Sequence, residues 1–238
     1  MTTINAARVA RFVKTLCRDG DSPRFCNRKF RAGHYVTPRL SYTTDRRAKK
    51  KVVRMGKDYT EIDERIQKWM SHQFMYFVAT APLSGEGLIN CSPKGGDTLR
   101  VLGPRQVAYV DYGGSGIETV AHLKENGRIT LMLCAFDGPP KIFRFFGRGS
   151  VIEPHDERFD ELLTHFPPPF SARTIILIDV DRIMDSCGYG VPEYTFVKHR
   201  ESMQNWIASK TDEEIADYRR ERNGVSLDGL PGLSFDEQ

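Results

Sequence analysis

The chain has 238 residues, 39% of them hydrophobic, and a formal net charge of +4, which leaves room for a sizeable core in one or two domains. Its longest apolar stretch, Phe74 to Leu83, is about half the length of a membrane-spanning helix and contains Pro82, so no bilayer-crossing segment is expected, and no secretory leader is legible. Five cysteines, an odd number without a C-x-x-C pair, argue against a disulfide framework or a zinc site and fit a reducing, cytoplasmic setting.

The modest net charge conceals two regions of opposite sign. Residues 1–54 hold 15 basic side chains against Asp19, Asp21 and Asp45, a net of +12, so the rest of the chain carries −8. Within this leader Arg8, Arg11, Lys14 and Arg18 share one side of a helical wheel and Val9, Phe12, Val13, Leu16 and Cys17 the other, which predicts a basic amphipathic helix. Three readings stand open: an upstream region included by choice of start codon, a mitochondrial presequence, or an arm for nucleic acid or a membrane surface. The cluster Arg46, Arg47, Lys49, Lys50 and Lys51 reads as a solvated linker. The acidic remainder offers no basic face for phosphate backbones, so neither nucleic acid nor membrane is expected as a partner of the body.

From Met55 the pattern becomes regular. Thr60 is placed to cap a helix with Ile62, Ile66, Trp69 and Gln73 on one face and Asp63 three residues after the cap. Seven β-rich segments follow: Phe74–Ala81, Leu88–Ser92, Leu99–Leu102, Gln106–Asp111, Ile129–Phe136, Lys141–Glu153 and Arg173–Ile183. Turns as short as Ser84-Gly85-Glu86-Gly87 and Gly138-Pro139-Pro140 demand antiparallel neighbours. Helices are predicted over Ser115–Asn126, opened by Ser115-x-x-Glu118 and closed at Gly127, and over Glu157–Phe166. A stripe of Met203, Trp206 and Ile207 and a second capping pattern at Thr211 and Glu214 mark C-terminal helices. Many short strands with marginal helices predict a mainly β, α+β fold built on an antiparallel barrel.

Chemistry is expected at three places. Ser92-Pro93-Lys94-Gly95-Gly96-Asp97, read as following a strand, brings a hydroxyl, a cation and two flexible residues together, as an anion-binding loop or an ordinary turn would. Asp111-Tyr112-Gly113-Gly114-Ser115-Gly116-Ile117-Glu118-Thr119 leads a strand into a helix whose first amides form an anion site, although Glu118 as a capping carboxylate would oppose a dianion. In the aromatic strand around Phe143 and Phe145, which reads as buried on both faces, one of them against a partner subunit, Arg144 calls for a carboxylate partner or a cofactor. The six histidines show no metal-ligand spacing and read as surface or hydrogen-bonded residues, Cys187 reads as a small packed hydrophobe, and no catalytic constellation is legible.

In their order, Phe77-Val78-Ala79-Thr80-Ala81-Pro82-Leu83, Ser92-Pro93-Lys94-Gly95, Gly114-Ser115-Gly116-Ile117-Glu118-Thr119, Glu125-Asn126-Gly127-Arg128-Ile129, Gly147-Arg148-Gly149, Ser186-Cys187-Gly188-Tyr189-Gly190-Val191-Pro192 and Ser226-Leu227-Asp228-Gly229-Leu230-Pro231-Gly232 resemble the pyridoxamine 5′-phosphate oxidase-related family of flavin-binding split barrels. The resemblance covers about Met55 to Leu233 and implies a six-stranded antiparallel split barrel with peripheral helices, a homodimer, and FMN in a groove between subunits. It divides the chain into a leader (1–54), a barrel (55–200) and C-terminal helices and tail packed on the barrel (201–238). It places Ser92 and Lys94 near the flavin phosphate or ring, Ser115 and Thr119 near the phosphate, and Arg144 as a further contact. The implied activity is that of an FMN-dependent oxidoreductase, the alternative being a non-catalytic module that binds or scavenges a flavin or haem. The chain departs from the vitamin B6 oxidase itself. It lacks the Arg-Leu-Ala-Pro type ending, and Lys198-His199-Arg200 does not reproduce the Arg-x-His-x-Arg clamp, so pyridoxamine phosphate is not the expected substrate.

Overall fold

The computed structural model describes residues 56–167 and 171–235. The basic leader, its predicted amphipathic helix and Met55 lie outside the described residues. The elements are β1 (Asp58–Tyr59), α1 (Glu64–Ser71), β2 (Met75–Thr80), β3 (Asn90–Gly95), β4 (Leu99–Gly103), β5 (Gln106–Asp111), α2 (Glu118–Asn126), β6 (Arg128–Cys134), β7 (Lys141–Ile152), α3 (Phe159–Leu163), β8 (Thr174–Cys187), α4 (Ser202–Ala208) and α5 (Asp212–Asn223).

The strands form one antiparallel sheet in the order β3-β2-β6-β7-β8-β5-β4, with β1 paired to β8. All seven β-rich segments become strands. The described sheet has eight strands where six were expected, in part because β1 joins β8. There the Lys57 amide and the Tyr59 hydroxyl both donate to Asp185, at 2.8 and 2.7 Å. Four strands separate β3 from β5 along the path, yet Lys94 on β3 reaches Asp111 on β5 at 3.1 Å. The sheet therefore curls on itself into the split barrel.

Strand alternation decides what the curl encloses. Val78, Leu131, Phe145 and Ile183 are register partners across β2, β6, β7 and β8, and all are at most 1% exposed. Each contributes about 1.5–3 kcal/mol by leaving water. The neighbouring row Phe77, Met132, Arg144 and Met184 points outward and is half-buried. Phe143 and Phe145 are buried, whereas Ile142, Arg144 and Phe146 are partly exposed, so within this chain β7 buries one face, the other being the one expected against a partner subunit. The long β7–β8 pair shifts register at Phe146/Gly147, where a Cβ on Gly147 would collide with the Asp179 carbonyl. Helix α2 lies on the barrel through Val120, Ala121 and Leu123 and ends at Gly127, whose φ of 69° suits glycine.

Several local expectations are corrected. Asp63, not Thr60, caps α1, its carboxylate accepting from the Ile66 amide at 2.9 Å. Helix α2 starts at Glu118 without a side-chain cap, so the Ser115 capping box does not form, and the Glu118 carboxylate instead reaches the Leu227 amide at 3.5 Å. Helix α3 is shorter than the predicted Glu157–Phe166, although Phe159 and Phe166 are both buried. Ser92 to Gly95 belong to β3 rather than to a loop after it. Pro93 is tolerated there because β3 ends the sheet and a missing amide costs no ladder bond on an open edge. The Thr211 capping box of α5 forms as expected.

Candidate functional site

The site grows from one buried carboxylate. Strand β5 is apolar through Val107 to Val110 and delivers Asp111, 3% exposed, to its C-terminal end. A charge there requires partners. The antiparallel register sets Asp111 opposite Thr174, so Arg173, just before β8, donates its Nη2 to Asp111 Oδ2 at 2.6 Å. Lys94 Nζ approaches Oδ1 from the far end of the sheet at 3.1 Å. Burial alone would raise the Asp111 pKa, but the charges of Lys94 and Arg173 and the hydrogen bonds they donate hold it well below the usual carboxylate range.

Arg173 also organises the loop that follows β5. Its Nη1 donates to the carbonyls of Gly114 and Gly116 at 3.2 and 3.0 Å, and the Asn223 amide adds a bond to Gly114 O at 3.0 Å. Turning those carbonyls inward gives Gly113 and Gly114 φ values of 119° and 151°, and nothing lies within 4 Å of where their side chains would stand. The loop runs into α2, whose first-turn amides have no partner within the helix. A cavity of about 150 Å³ opens between this loop and β3, lined by Asn90, Ser92, Lys94, Asp111, Gly113, Gly114, Gly116, Glu118, Thr119 and Arg173. Its side chains bring two cations and two carboxylates. Its capacity for an anion therefore rests on backbone amides and on the unused N–H groups of Lys94, not on net charge.

The structure thus brings Ser92, Lys94 and Thr119 together. Ser115 sits exposed on the approach to α2, outside the cavity lining. Arg144 lies on the outward row of β7 and donates to Ser186 Oγ at 3.0 Å, a hydroxyl where a carboxylate or cofactor was anticipated. Sequence reasoning missed Arg173 and Asn90, and treated Asp111 only as the start of a glycine run. The available signal was Asp111 closing the apolar run Val107–Val110 and Arg173 just ahead of the run Ile175–Ile178, two ends that pairing places side by side.

Lys94 also lines a second, larger cavity of about 1180 Å³. Its walls are α1, the β3 end and the irregular segment Tyr194–Arg200, with Met203 and Ile207 of α4. Stacked rings hold that segment down: Phe74 on Phe196 at 3.9 Å and Phe136 on Tyr194 at 5.6 Å. The Tyr194 amide also donates to Phe136 O at 2.8 Å. Nothing in the sequence patterning marked this cavity, because its aromatics lie in a stretch without periodicity.

One further expectation changes. Cys187 is exposed at the end of β8 rather than packed as a small hydrophobe. His122 is fully buried, with Thr80 Oγ1 at 3.0 Å from Nδ1, while its Nε2 has no hydrogen-bond partner. Among the described residues no cluster of three or more His, Cys, Asp or Glu is placed to hold a metal, and no helix is long and apolar enough to cross a membrane.

The sequence profile described as pyridoxamine 5′-phosphate oxidase matches residues 62–187. The pyridoxamine 5′-phosphate oxidase family protein ustO of Aspergillus flavus is 38% identical over 192 residues, covering 74% of this chain and 77% of that protein. Among solved structures, an FMN-binding protein from Syntrophomonas wolfei superposes with a TM-score of 0.37 at 16% identity, covering 56% of this chain and 85% of its own. HupZ of group A Streptococcus superposes with a TM-score of 0.40 at 18% identity, over 51% of this chain and 91% of its own. With the profile matching more than half of the chain and the fungal relative covering 74% of it, the chain belongs to the pyridoxamine 5′-phosphate oxidase family.

Proposed function

We propose that this chain is an FMN-binding flavoprotein that acts as an oxidoreductase, with the phosphate end of the cofactor in the 150 Å³ cavity and the ring toward the 1180 Å³ cavity. The observation that carries this reading is the position of Lys94, whose side chain lines both the glycine-loop cavity and the large apolar one. The residues present fit the group. The glycine loop leaves open space where side chains of Gly113 and Gly114 would stand, and the buried Nε of Arg173 has no partner, so this corner has spare donor capacity. Lys94 and the amides around Gly113 to Gly116 would hold the phosphate, while Trp69, Phe74 and Phe196 would keep water from the ring. Bound flavin supplies hydride or electron transfer, and the protein supplies orientation and electrostatics.

The outward row of Phe77, Met132 and Met184, with Phe146 beside it, suits a second copy of the chain, and a homodimer is part of the proposal. The test is the visible spectrum of the purified chain with added FMN, followed by anaerobic NADPH or NADH. A yellow protein that bleaches is expected. A protein that takes up no flavin would end this reading, and one that stays yellow with every donor would be a flavin carrier rather than an oxidoreductase.

A further inference from the structure

Behind Ser92 and Thr119 runs a continuous line of polar side chains. Ser92 Oγ donates to Asn90 Oδ1 at 2.8 Å. The Asn90 amide donates to Thr119 Oγ1 at 2.9 Å and to Thr80 Oγ1 at 3.1 Å. Thr80 Oγ1 lies 3.0 Å from His122 Nδ1, and His122 Nε2 faces Asp228 Oδ2 at 3.8 Å. Thr80 is 4% exposed and His122 is not exposed at all, so water does not set the direction of these bonds.

The far end sets it instead. An imidazole lone pair aimed at a carboxylate is unfavourable and an N–H is favourable, so Asp228 selects the tautomer protonated on Nε2. His122 Nδ1 is then an acceptor and takes the Thr80 hydroxyl hydrogen. Thr80 oxygen in turn accepts from Asn90, both amide hydrogens of Asn90 are used, and its carbonyl must receive the hydrogen of Ser92. Ser92 reaches the cavity with its own hydrogen already committed and presents only lone pairs.

We infer that His122, Thr80 and Asn90 form a buried relay that makes Ser92 a hydrogen-bond acceptor toward the cavity, so that Ser92 receives a donor group of the ligand and not an ionised phosphate oxygen. On the flavin reading, on which this inference rests, that donor is a hydroxyl of the polyol chain or a ring N–H, and the phosphate is left to Lys94 and the glycine loop. Thr80 and His122 are positioning residues, since neither lines the cavity.

The test compares FMN with riboflavin, which lacks the phosphate, by fluorescence titration of the full-length protein. Ser92→Ala is expected to weaken both ligands alike, by about tenfold for one hydrogen bond. Thr80→Val keeps the branched shape and loses the hydroxyl, whereas Thr80→Ser keeps the hydroxyl and loses the methyl. The relay predicts that Val weakens both flavins by about tenfold and that Ser stays within about twofold. A purely packing role for Thr80 would reverse that order, and the reversal overturns the inference. So does a Ser92→Ala variant that weakens FMN while sparing riboflavin, because Ser92 would then serve the phosphate. Wild-type protein that binds neither flavin would remove the flavin reading itself, an outcome distinct from altered selectivity among the variants. Thermal melts of each variant separate loss of binding from loss of folding.

Discussion

The two cavities that meet at Lys94 are built on opposite principles. The small one is held by groups that cannot move independently: a carboxylate at the end of a buried strand, an arginine fixed by the register of its neighbour, and a glycine loop drawn onto that arginine. The large one shares its walls between regular elements and a segment without regular structure, held by stacked rings and one backbone bond, with Phe196 44% and Val197 86% exposed. A polar cavity fixed in advance suits recognition of an invariant group, and an adaptable apolar wall suits a variable one.

The strongest way to break this contrast is Arg173→Leu. It strips Asp111 of its closest partner and is expected to cost about 3–5 kcal/mol, read by urea unfolding at neutral pH. A loss below about 1 kcal/mol would mean that the polar cavity is as loosely held as the apolar one. The pH dependence has a definite sign. The Asp111 carboxyl is held below its unfolded value of about 3.9, so its contribution is fully present above that pH and is lost as the pH falls through the lower, folded value. Wild-type stability should therefore fall on acidification in that window, and Asp111→Asn should flatten this part of the profile.

An intermediate effect is expected from Phe196→Ser. An aromatic pair contributes about 0.5–1.5 kcal/mol beyond its buried area, and this one is partly exposed, so the melting temperature should move little. Flavin affinity should nevertheless fall by about tenfold, measured by titration. Equal losses of stability and affinity would show that the aromatic wall supports the fold rather than the site. The smallest effect belongs to Thr211→Ala at the α5 cap, where about 1 kcal/mol of local stability is at stake. Amide exchange in α5 should quicken while the bound-flavin spectrum stays unchanged.

Much of the barrel was legible because alternation and short turns are local signals. Val78 and Phe145 announce an inner face by the residues beside them, and Gly138-Pro139-Pro140 announces a reversal. Helix starts were less legible: Thr60 and Asp63 both qualify as caps, and only the path of the chain out of β1 decides for Asp63. Pro93 was read as a loop residue because its place on a sheet edge is a fact about neighbours, not about sequence. At the candidate site, Ser92, Lys94 and Thr119 were visible as small, charged or hydroxylated residues beside glycines. Arg173 was not, since it stands 62 positions from Asp111 and contributes nothing to a local pattern.

The sequence by itself determined the charge division at residue 54, the antiparallel β order and the glycine-rich passage before α2, all of which follow from nearest-neighbour physics. Tertiary structure alone decided which charges meet. Curling brings β3 against β5, pairing sets Arg173 beside Asp111, and packing buries His122 behind Thr80. The physical reason is range: periodicity and turn chemistry act over a few residues, whereas a buried ion pair or relay exists only once closure has removed water from groups far apart in the chain.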